Sequence, residues 1–340
     1  VPALDVQEQN NTVQTLIPAV TVEGVSFTYP KAETPALKNV AIALEPGQML
    51  ALLGPNGSGK TTLFKLLTGM IRLPVSQGAI DLFGHAPLSA AARSSLGVVF
   101  QSPSLDGQLT VRENLICQAR LYGMDKKTAQ AKAEQWAQRL SIAEKLDSPA
   151  GKLSGGQKRR VELAKALLHD PKLVLMDEPS TGLDPSARRM LWDQIDELRK
   201  EALSDGGLSI IVTTHLMDEA ERCDAAVLMH EGSVVASGNP GTLRQRIGGQ
   251  VVRVAPNSAQ DADALCSEIE TALGPWDEAN KPTVAGGVVH FAIEGGPARV
   301  PEIDARWGNR IREIAVGHAT LEDVFMQLTG STLASNNESS

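Results

Sequence analysis

The sequence predicts an α/β fold in which a mostly parallel sheet carries its ligand sites at the carboxyl ends of the strands. Three observations predict it. An apolar run at residues 49–53 (MLALL) enters a glycine-rich stretch at 54–62 (GPNGSGKTT), and a helical pattern follows until Gly69. Two more apolar runs, LVLM at 173–176 and LSIIVTTH at 208–215, are too short for helices and lack the alternation of a half-exposed strand. Helical segments separate these runs, and strand–helix alternation of this kind belongs to a parallel sheet covered on both faces.

Bulk properties narrow the class. At 340 residues the chain has room for two domains, each able to bury its own core. Its 42% hydrophobic and 21% charged composition is that of an ordinary soluble protein. A net charge of −8 gives no support to a general nucleic-acid binder, and no nucleic-acid partner is expected. Cys117, Cys223 and Cys266 are far apart and show no metal-ligand spacing, so reduced thiols in a cytosolic compartment are expected. No apolar run approaches the 18–20 residues of a spanning helix, and the start lacks the pattern of a signal peptide. The expectation is a chain that does not cross a membrane by itself.

Residues 1–18 are polar and without period, which predicts a disordered tail, and a first residue of Val rather than Met suggests trimming. Alternation in residues 20–29 (VTVEGVSFTY) predicts a strand, and Leu37, Val40, Ile42 and Leu44 mark a second. The turn at 45–48 (EPGQ) feeds the central strand. After the first helix, short strands are expected at 78–84 and 96–101. Residues 108–147 read as mostly helical, with Thr110 and Glu113 spaced as a capping box. A loop at 148–152 leads to LSGGQ at 153–157, and the helix that follows carries Val161, Ala164, Leu167 and Leu168 on one face. Further helices are expected at 186–201 and 217–222, and a further strand at 226–229.

The composition shifts near Gly248 and Gly249. Beyond them, strand (250–254), helix (261–273), strand (283–293), helix (300–307) and strand (310–316) predict a small α+β domain of βαβαβ order. A closing helix at 320–328 presents Leu321, Val324, Phe325 and Leu328 as a stripe for packing on the preceding domain. The expected division is 1–18 (tail), 19–247, 248–330 and 331–340 (tail), with a helical subdomain at 105–165.

The glycine-rich stretch has a definite chemistry. Gly54, Gly57 and Gly59 let the backbone curl so that N–H groups face inward at a helix N-terminus, which favours an anion. Pro55, Asn56 and Ser58 complete the loop. Lys60 would reach the β- and γ-phosphates of a nucleotide, Thr61 would be a ligand of Mg²⁺, and Thr62 opens the helix. LSGGQ offers a second cradle, in which Ser154 Oγ and the N–H groups of Gly155, Gly156 and Gln157 can meet a phosphate; taken alone, it is equally a capped helix with a glycine entry. Lys60, Asp177, Glu178 and His215 all fall just past strand ends.

GPNGSGKTT, Gln101, LSGGQ, LVLMDEP, Thr181-Gly182-Leu183-Asp184 and His215 occur in this order, and the set resembles the ATP-binding cassette (ABC) of ABC transporters over residues 20–240. The resemblance implies a P-loop NTPase cassette with an antiparallel β subdomain and a helical subdomain beside the parallel sheet. It implies ATP and Mg²⁺ as ligands and ATP hydrolysis as the activity. Tyr29 stands where the family stacks an aromatic ring on adenine; its plain alternative is a half-buried strand tyrosine. Gln101 resembles the glutamine that senses Mg²⁺ and the γ-phosphate. Asp177 would hold Mg²⁺, and Glu178 would be the general base for the attacking water. His215 matches the histidine that contacts the γ-phosphate, and Asp184 matches an aspartate that acts across a dimer interface. His85, His169, His230, His290 and His318 have no such context and are expected to be structural or exposed.

The family closes two cassettes head to tail over ATP, and one copy of each motif here implies a second cassette chain, expected as a homodimer. The resemblance also implies a separate integral membrane permease, docked near Gln101, and a place on the cytoplasmic face of the inner or plasma membrane. The segments 109–115 (LTVRENL), 121–123 (LYG) and 320–330 (TLEDVFMQLTG) resemble the exporter branch that includes drug-resistance and Nod-factor ATPases. The alternative class is a soluble ABC ATPase acting on ribosomes, DNA or an iron–sulfur assembly. Those chains carry two cassettes or an inserted coiled coil, or they do without turnover, which the intact Glu178 opposes.

Overall fold

The computed structural model describes residues 17–202, 207–247, 250–277, 280–293 and 295–330. Of the expected tails, residues 1–16 and 331–340 lie outside the described residues, as does the glycine pair at 248–249.

The chain begins with β1 (Val20–Phe27), whose buried Val20, Val22, Val25 and Phe27 face a core while intervening positions meet solvent. β1 pairs antiparallel with β2 (Leu37–Leu44). β3 (Met49–Leu53) is buried at every residue and is followed by α1 (Lys60–Leu67). β4 (Ala79–Leu82) then pairs with the other edge of β1 and completes an antiparallel sheet of order β2-β1-β4. A short α2 (Ala90–Ser94), capped by the Ser89 side chain, leads to β5 (Leu96–Val99).

Next come α3 (Val111–Leu121) and α4 (Lys126–Arg139), which pack with α5 (Gly155–Leu167). Small buried side chains, Ala119, Ala129, Ala133 and Ala137, allow these helices to lie close together. Their starts are chemically marked. Thr110 with Glu113, and Ser154 with Gln157, form full capping boxes, while Asp125 caps α4 by accepting from two main-chain N–H groups.

The sheet then grows by β6 (Leu173–Asp177), α6 (Pro185–Ala202), β7 (Ser209–Thr214), α7 (Met217–Ala220), β8 (Ala225–His230), β9 (Ser233–Gly238) and α8 (Pro240–Gln245). Its order is β5-β6-β7-β3-β8-β9, parallel throughout except for the antiparallel β9 edge. Alternate residues of β3 serve two cores: Met49, Ala51 and Leu53 enter one, Leu50 and Leu52 the other. The sequence reading has no counterpart to β9. Its six residues bury only Ala236, so no period-two signal stands out, and it is placed by the tight turn at Glu231 and Gly232, both with positive φ.

The last unit contains β10 (Gln250–Pro256), α9 (Ala262–Leu273), β11 (Thr283–Ala285), β12 (Val288–Ile293), α10 (Gly296–Trp307), β13 (Ile311–His318) and α11 (Leu321–Thr329). One strand was expected over 283–293. The structure has a hairpin there, because Gly286 and Gly287 take φ of +58° and +75° and reverse the chain. The order is therefore βαββαβ rather than βαβαβ, and the antiparallel sheet runs β11-β12-β10-β13. Val252, Val254, Leu265, Ile269, Val289, Phe291 and Ile303 form its separate core.

The closing helix joins the two units. Leu321, Val324 and Phe325 enter the same core as Leu243 and Ile247, and Phe325 packs edge-on against His230. Leu328, expected in that stripe, is 52% exposed because it falls at the outer end of the helix. From the same helix, Asp323 accepts a hydrogen bond from Arg253 Nη2 of β10 (2.6 Å) and lies 3.9 Å from His290 Nδ1 of β12. Among the described residues, no helix is long and apolar enough to cross a membrane.

Asp323 gives a pH prediction. Burial pushes its carboxyl up, but the His290 ring, the Thr320 hydroxyl and N–H, and Arg253 outweigh burial and hold the pKa at about 2. A folded-state pKa below the unfolded value stabilises the fold above the unfolded pKa, and that contribution is lost as pH falls through the folded one. Asp323→Asn is expected to cost about 2 kcal/mol at neutral pH. The difference from wild type in urea denaturation should shrink as pH falls from 4 towards 2.

Candidate functional site

The turn between β3 and α1 is shaped by what its glycines exclude. A Cβ on Gly54 would lie 2.3 Å from the Met229 carbonyl oxygen, so only glycine lets the loop pass over β8. Gly59 takes φ of +103° at the helix entry and offers no side chain as a cap. The first N–H groups of α1 are thus left for an external acceptor. Ser58 Oγ is buried without a hydrogen-bond partner, and the exposed Gly57 has nothing within 4 Å of its Cβ position. A loop with an unanswered hydroxyl, an uncapped helix start and open space above it fits a bound phosphate chain.

Lys60 is 4% exposed, and its ammonium donates to the carbonyls of Gly54 (2.6 Å) and Pro55 (3.0 Å). Burial lowers its pKa, while Glu178 and Asp177 pull it back up. Thr61 is exposed at the helix start, where its hydroxyl can meet a cation, and Asn56 is exposed at the loop tip. Thr62 is buried, with Oγ1 lying 3.3 Å from Tyr29 Oη. Tyr29 lies beyond the end of β1, partly exposed, with its ring edge-on to Phe27.

The acidic pair sits at the end of β6. Asp177 is its last residue, and Asp177 Oδ1 accepts from Thr213 Oγ1 (2.5 Å) on β7. The Glu178 N–H donates to the same Thr213 oxygen (2.9 Å) and to the Thr213 carbonyl (3.1 Å). Glu178 takes φ of +42°, a region that disfavours side chains, and these bonds hold it there. Its Oε2 accepts from Gln101 Nε2 (3.2 Å) and Thr181 Oγ1 (3.0 Å), and Oε1 lies 3.6 Å from His215 Nδ1.

Environment pushes the two carboxyls in opposite directions. His215 does most to hold Glu178 below the ordinary carboxylate range, burial opposes it, and the Thr181 hydroxyl adds to the lowering. Asp177 is raised, chiefly by burial, with the Thr213 hydroxyl opposing. Glu178 in turn raises the pKa of His215. At neutral pH Glu178 is a carboxylate, the form that a general base requires.

Gln101 lies two residues past β5. Arg159, 4% exposed on α5, donates to the carbonyls of Phe100 (2.5 Å) and Gln101 (2.8 Å). Glu162, one turn further, accepts from Ser104 N–H (2.9 Å). The helix that starts with LSGGQ therefore grips the loop that carries Gln101.

The expected site residues fall into two groups. Lys60, Gln101, Asp177, Glu178 and His215 converge at the carboxyl ends of β3, β5, β6 and β7. Ser154, Gly155, Gly156, Gln157 and Asp184 gather at the starts of α5 and α6. There, Ser154 Oγ accepts from Gln157 N–H, and Asp184 Oδ1 accepts from the N–H groups of Ser186 and Ala187. Leu183 and Ala187 lie against the Cβ positions of Gly155 and Gly156. Thr213 and Arg159 escaped the sequence reading, and Thr181 entered it only as part of a motif, without a role of its own. A hydroxyl at the end of a buried strand (Thr213-Thr214-His215) is the signal that pointed to the first. Of the other histidines, His169 stacks on Tyr122, His230 packs on Phe325, His290 neighbours Asp323, and His85 and His318 are exposed.

The family model described as "ABC transporter" matches residues 37–181. The Nod factor export ATP-binding protein I of Rhizobium meliloti is 34% identical over 322 residues, which span 93% of this chain and 90% of that protein. Its namesake in Burkholderia thailandensis is 38% identical over 293 residues, covering 84% and 90%. Among solved structures, cbiO1 from Clostridium perfringens, part of the ABC transporter complex cbiONQ, matches with a TM-score of 0.60 at 28% identity, over 75% of this chain and 96% of that one. The ADP conformation of MJ1267, an ATP-binding cassette of an ABC transporter, matches with a TM-score of 0.56 at 25% identity, over 65% and 91%.

The loop geometry predicts unequal glycine substitutions. Gly57→Ala has room and is expected to cost about 1 kcal/mol of backbone strain. Gly54→Ala drives a Cβ into main chain and is expected to cost about 2 kcal/mol or more. Thermal denaturation of the two variants checks the order.

Proposed function

This chain belongs to the ABC transporter family as an ATP-binding, ATP-hydrolysing subunit, and we propose that it drives export through a separate membrane permease. The observation that carries the hydrolytic reading is Glu178: an ionised carboxylate, oriented by Thr213 and Thr181, at the strand end beside the Lys60 loop. In this reading the loop at 54–62 and Lys60 grip the triphosphate by main-chain N–H groups and one buried cation. Thr61, Asp177 and Gln101 supply oxygen donors suited to Mg²⁺, which neutralises charge on the β- and γ-phosphates when bound. Asp177, already tied to Thr213, is held ready for that role. Glu178 takes the proton of the attacking water, and His215, beside it, contacts the γ-phosphate. Tyr29 offers its ring to the adenine.

The second group, Ser154, Gly155, Gly156, Gln157 and Asp184, faces a different task. We assign it to a second copy of the chain, whose ATP it covers when two cassettes close head to tail. ATP drives closure by binding the closed pair more tightly, and hydrolysis with product release removes that bias. The capping box of Ser154 with Gln157 keeps the α5 start ordered before a partner arrives. Identity of 34% to a Nod factor export protein over 93% of the chain supports export, with the chain on the cytoplasmic face of the membrane beside its permease. The same span supports a cassette at 19–247 followed by a smaller α+β unit at 248–330.

Two substitutions separate binding from chemistry. Lys60→Ala is expected to abolish saturable, magnesium-dependent ATP binding, as read by titration calorimetry. Glu178→Gln is expected to keep binding and lower turnover by about a hundredfold or more. Turnover near the wild-type rate in that variant overturns the general-base assignment. Co-purification from membranes with a hydrophobic partner tests the export reading, and a chain recovered without one counts against it.

A further inference from the structure

Glu219 has no place in the machinery described so far, yet it is 1% exposed and ionisable. It stands on α7, behind the two loops that hold Glu178 and His215. Its Oε1 accepts from Ser180 Oγ, and its Oε2 accepts from Thr214 Oγ1 (2.6 Å). Ser180 is two residues beyond Glu178, and Thr214 immediately precedes His215. Thr214 Oγ1 also accepts from Leu216 N–H (3.0 Å), so the main chain on the far side of His215 is tied to the same centre.

We propose that Glu219 is a positioning residue that clamps the loop after β6 to the loop after β7 and so sets the spacing of Glu178 and His215. The physical need for it is local. The pairing of β6 with β7 ends at Asp177 and Thr213, one residue before Glu178 and two before His215. Beyond that pair, β7 is still paired with β3 at Thr214, and the Glu178 N–H still reaches the Thr213 carbonyl. β6 and β7 no longer pair there, so their ladder does not set the spacing of the segments that follow Glu178 and Thr214. A buried carboxylate is costly unless both oxygens are answered, and two hydroxyls from two different loops answer them here. Loss of either hydroxyl leaves the charge under-bonded, so the arrangement holds both loops at one separation. Glu178 and His215 face each other at 3.6 Å on the solvent side of that clamp.

The inference rests on Glu178 serving as general base, and the test keeps the two apart. Steady-state ATP turnover by the full-length chain would be measured for Ser180→Ala, Thr214→Val, Thr214→Ser and Glu219→Ala. Each variant that removes the clamp is expected to lower kcat about tenfold, with KM for ATP within about twofold of wild type. Thr214→Ser, which keeps the hydroxyl, should recover most of what Thr214→Val loses. Adding Ser180→Ala to Glu219→Ala should cost little more, because one interaction is being removed twice. An unchanged kcat in the hydroxyl variants, losses that simply add, or KM rising in step with the fall in kcat each overturns the clamp. Should Glu219→Ala fail to fold, Ser180→Ala and Thr214→Val decide the matter by themselves. Glu178→Gln retaining turnover would sink the general-base reading instead, whatever the clamp variants do.

Discussion

Three parallel strands, β6, β7 and β3, end at the same level because main-chain pairing sets Asp177 opposite Thr213 and Leu53 opposite Thr214. The glycine-rich loop, the acidic pair and His215 all issue from that edge. Register here is enforced by burial: alternate residues of β3 feed two different cores, so a slip by one residue would exchange every side chain between them. Each large aliphatic side chain so buried contributes about 1.5–3 kcal/mol. The site inherits its precision from the apolar packing beneath it.

On that edge, charge is arranged at short range. The Lys60 ammonium is taken out of water and answered by two backbone carbonyls, with Asp177 and Glu178 close enough to oppose the lowering of its pKa. Thr213 does double duty, donating to Asp177 and accepting from the Glu178 N–H, so one hydroxyl sets the relation between a candidate metal ligand and a candidate base. Burial raises Asp177 and His215 lowers Glu178, which gives neighbouring carboxyls different chemistry. The α5 grip through Arg159 and Glu162 extends this order to Gln101.

The C-terminal unit is attached by a helix with two faces. Phe325 and Leu321 bind it to the cassette by apolar packing, while Asp323 binds it to β10 and β12 by charge. The helix therefore transmits position between a small antiparallel sheet and the β8–β9 edge of the cassette.

The sequence by itself determined the α/β class, the parallel sheet and the family. Those follow from local signals: a glycine-rich turn between an apolar run and a helix, short buried runs, and motifs in fixed order. Cap chemistry was equally local, as Thr110 with Glu113 illustrates. The hairpin at Gly286 and Gly287 was missed because both flanks are apolar and merge into one run, and β9 was missed because it buries a single side chain. Leu328 was misplaced because helical spacing says which residues share a face but not how far the partner surface extends. Only the tertiary structure decided that Thr213 would serve two carboxyl residues, that Arg159 would hold the Gln101 backbone, and that Glu219 would reach back 39 residues to Ser180 and join it to Thr214. Such ties depend on which strand ends lie side by side, and that adjacency is settled by long-range pairing and packing, not by anything written near the residues themselves.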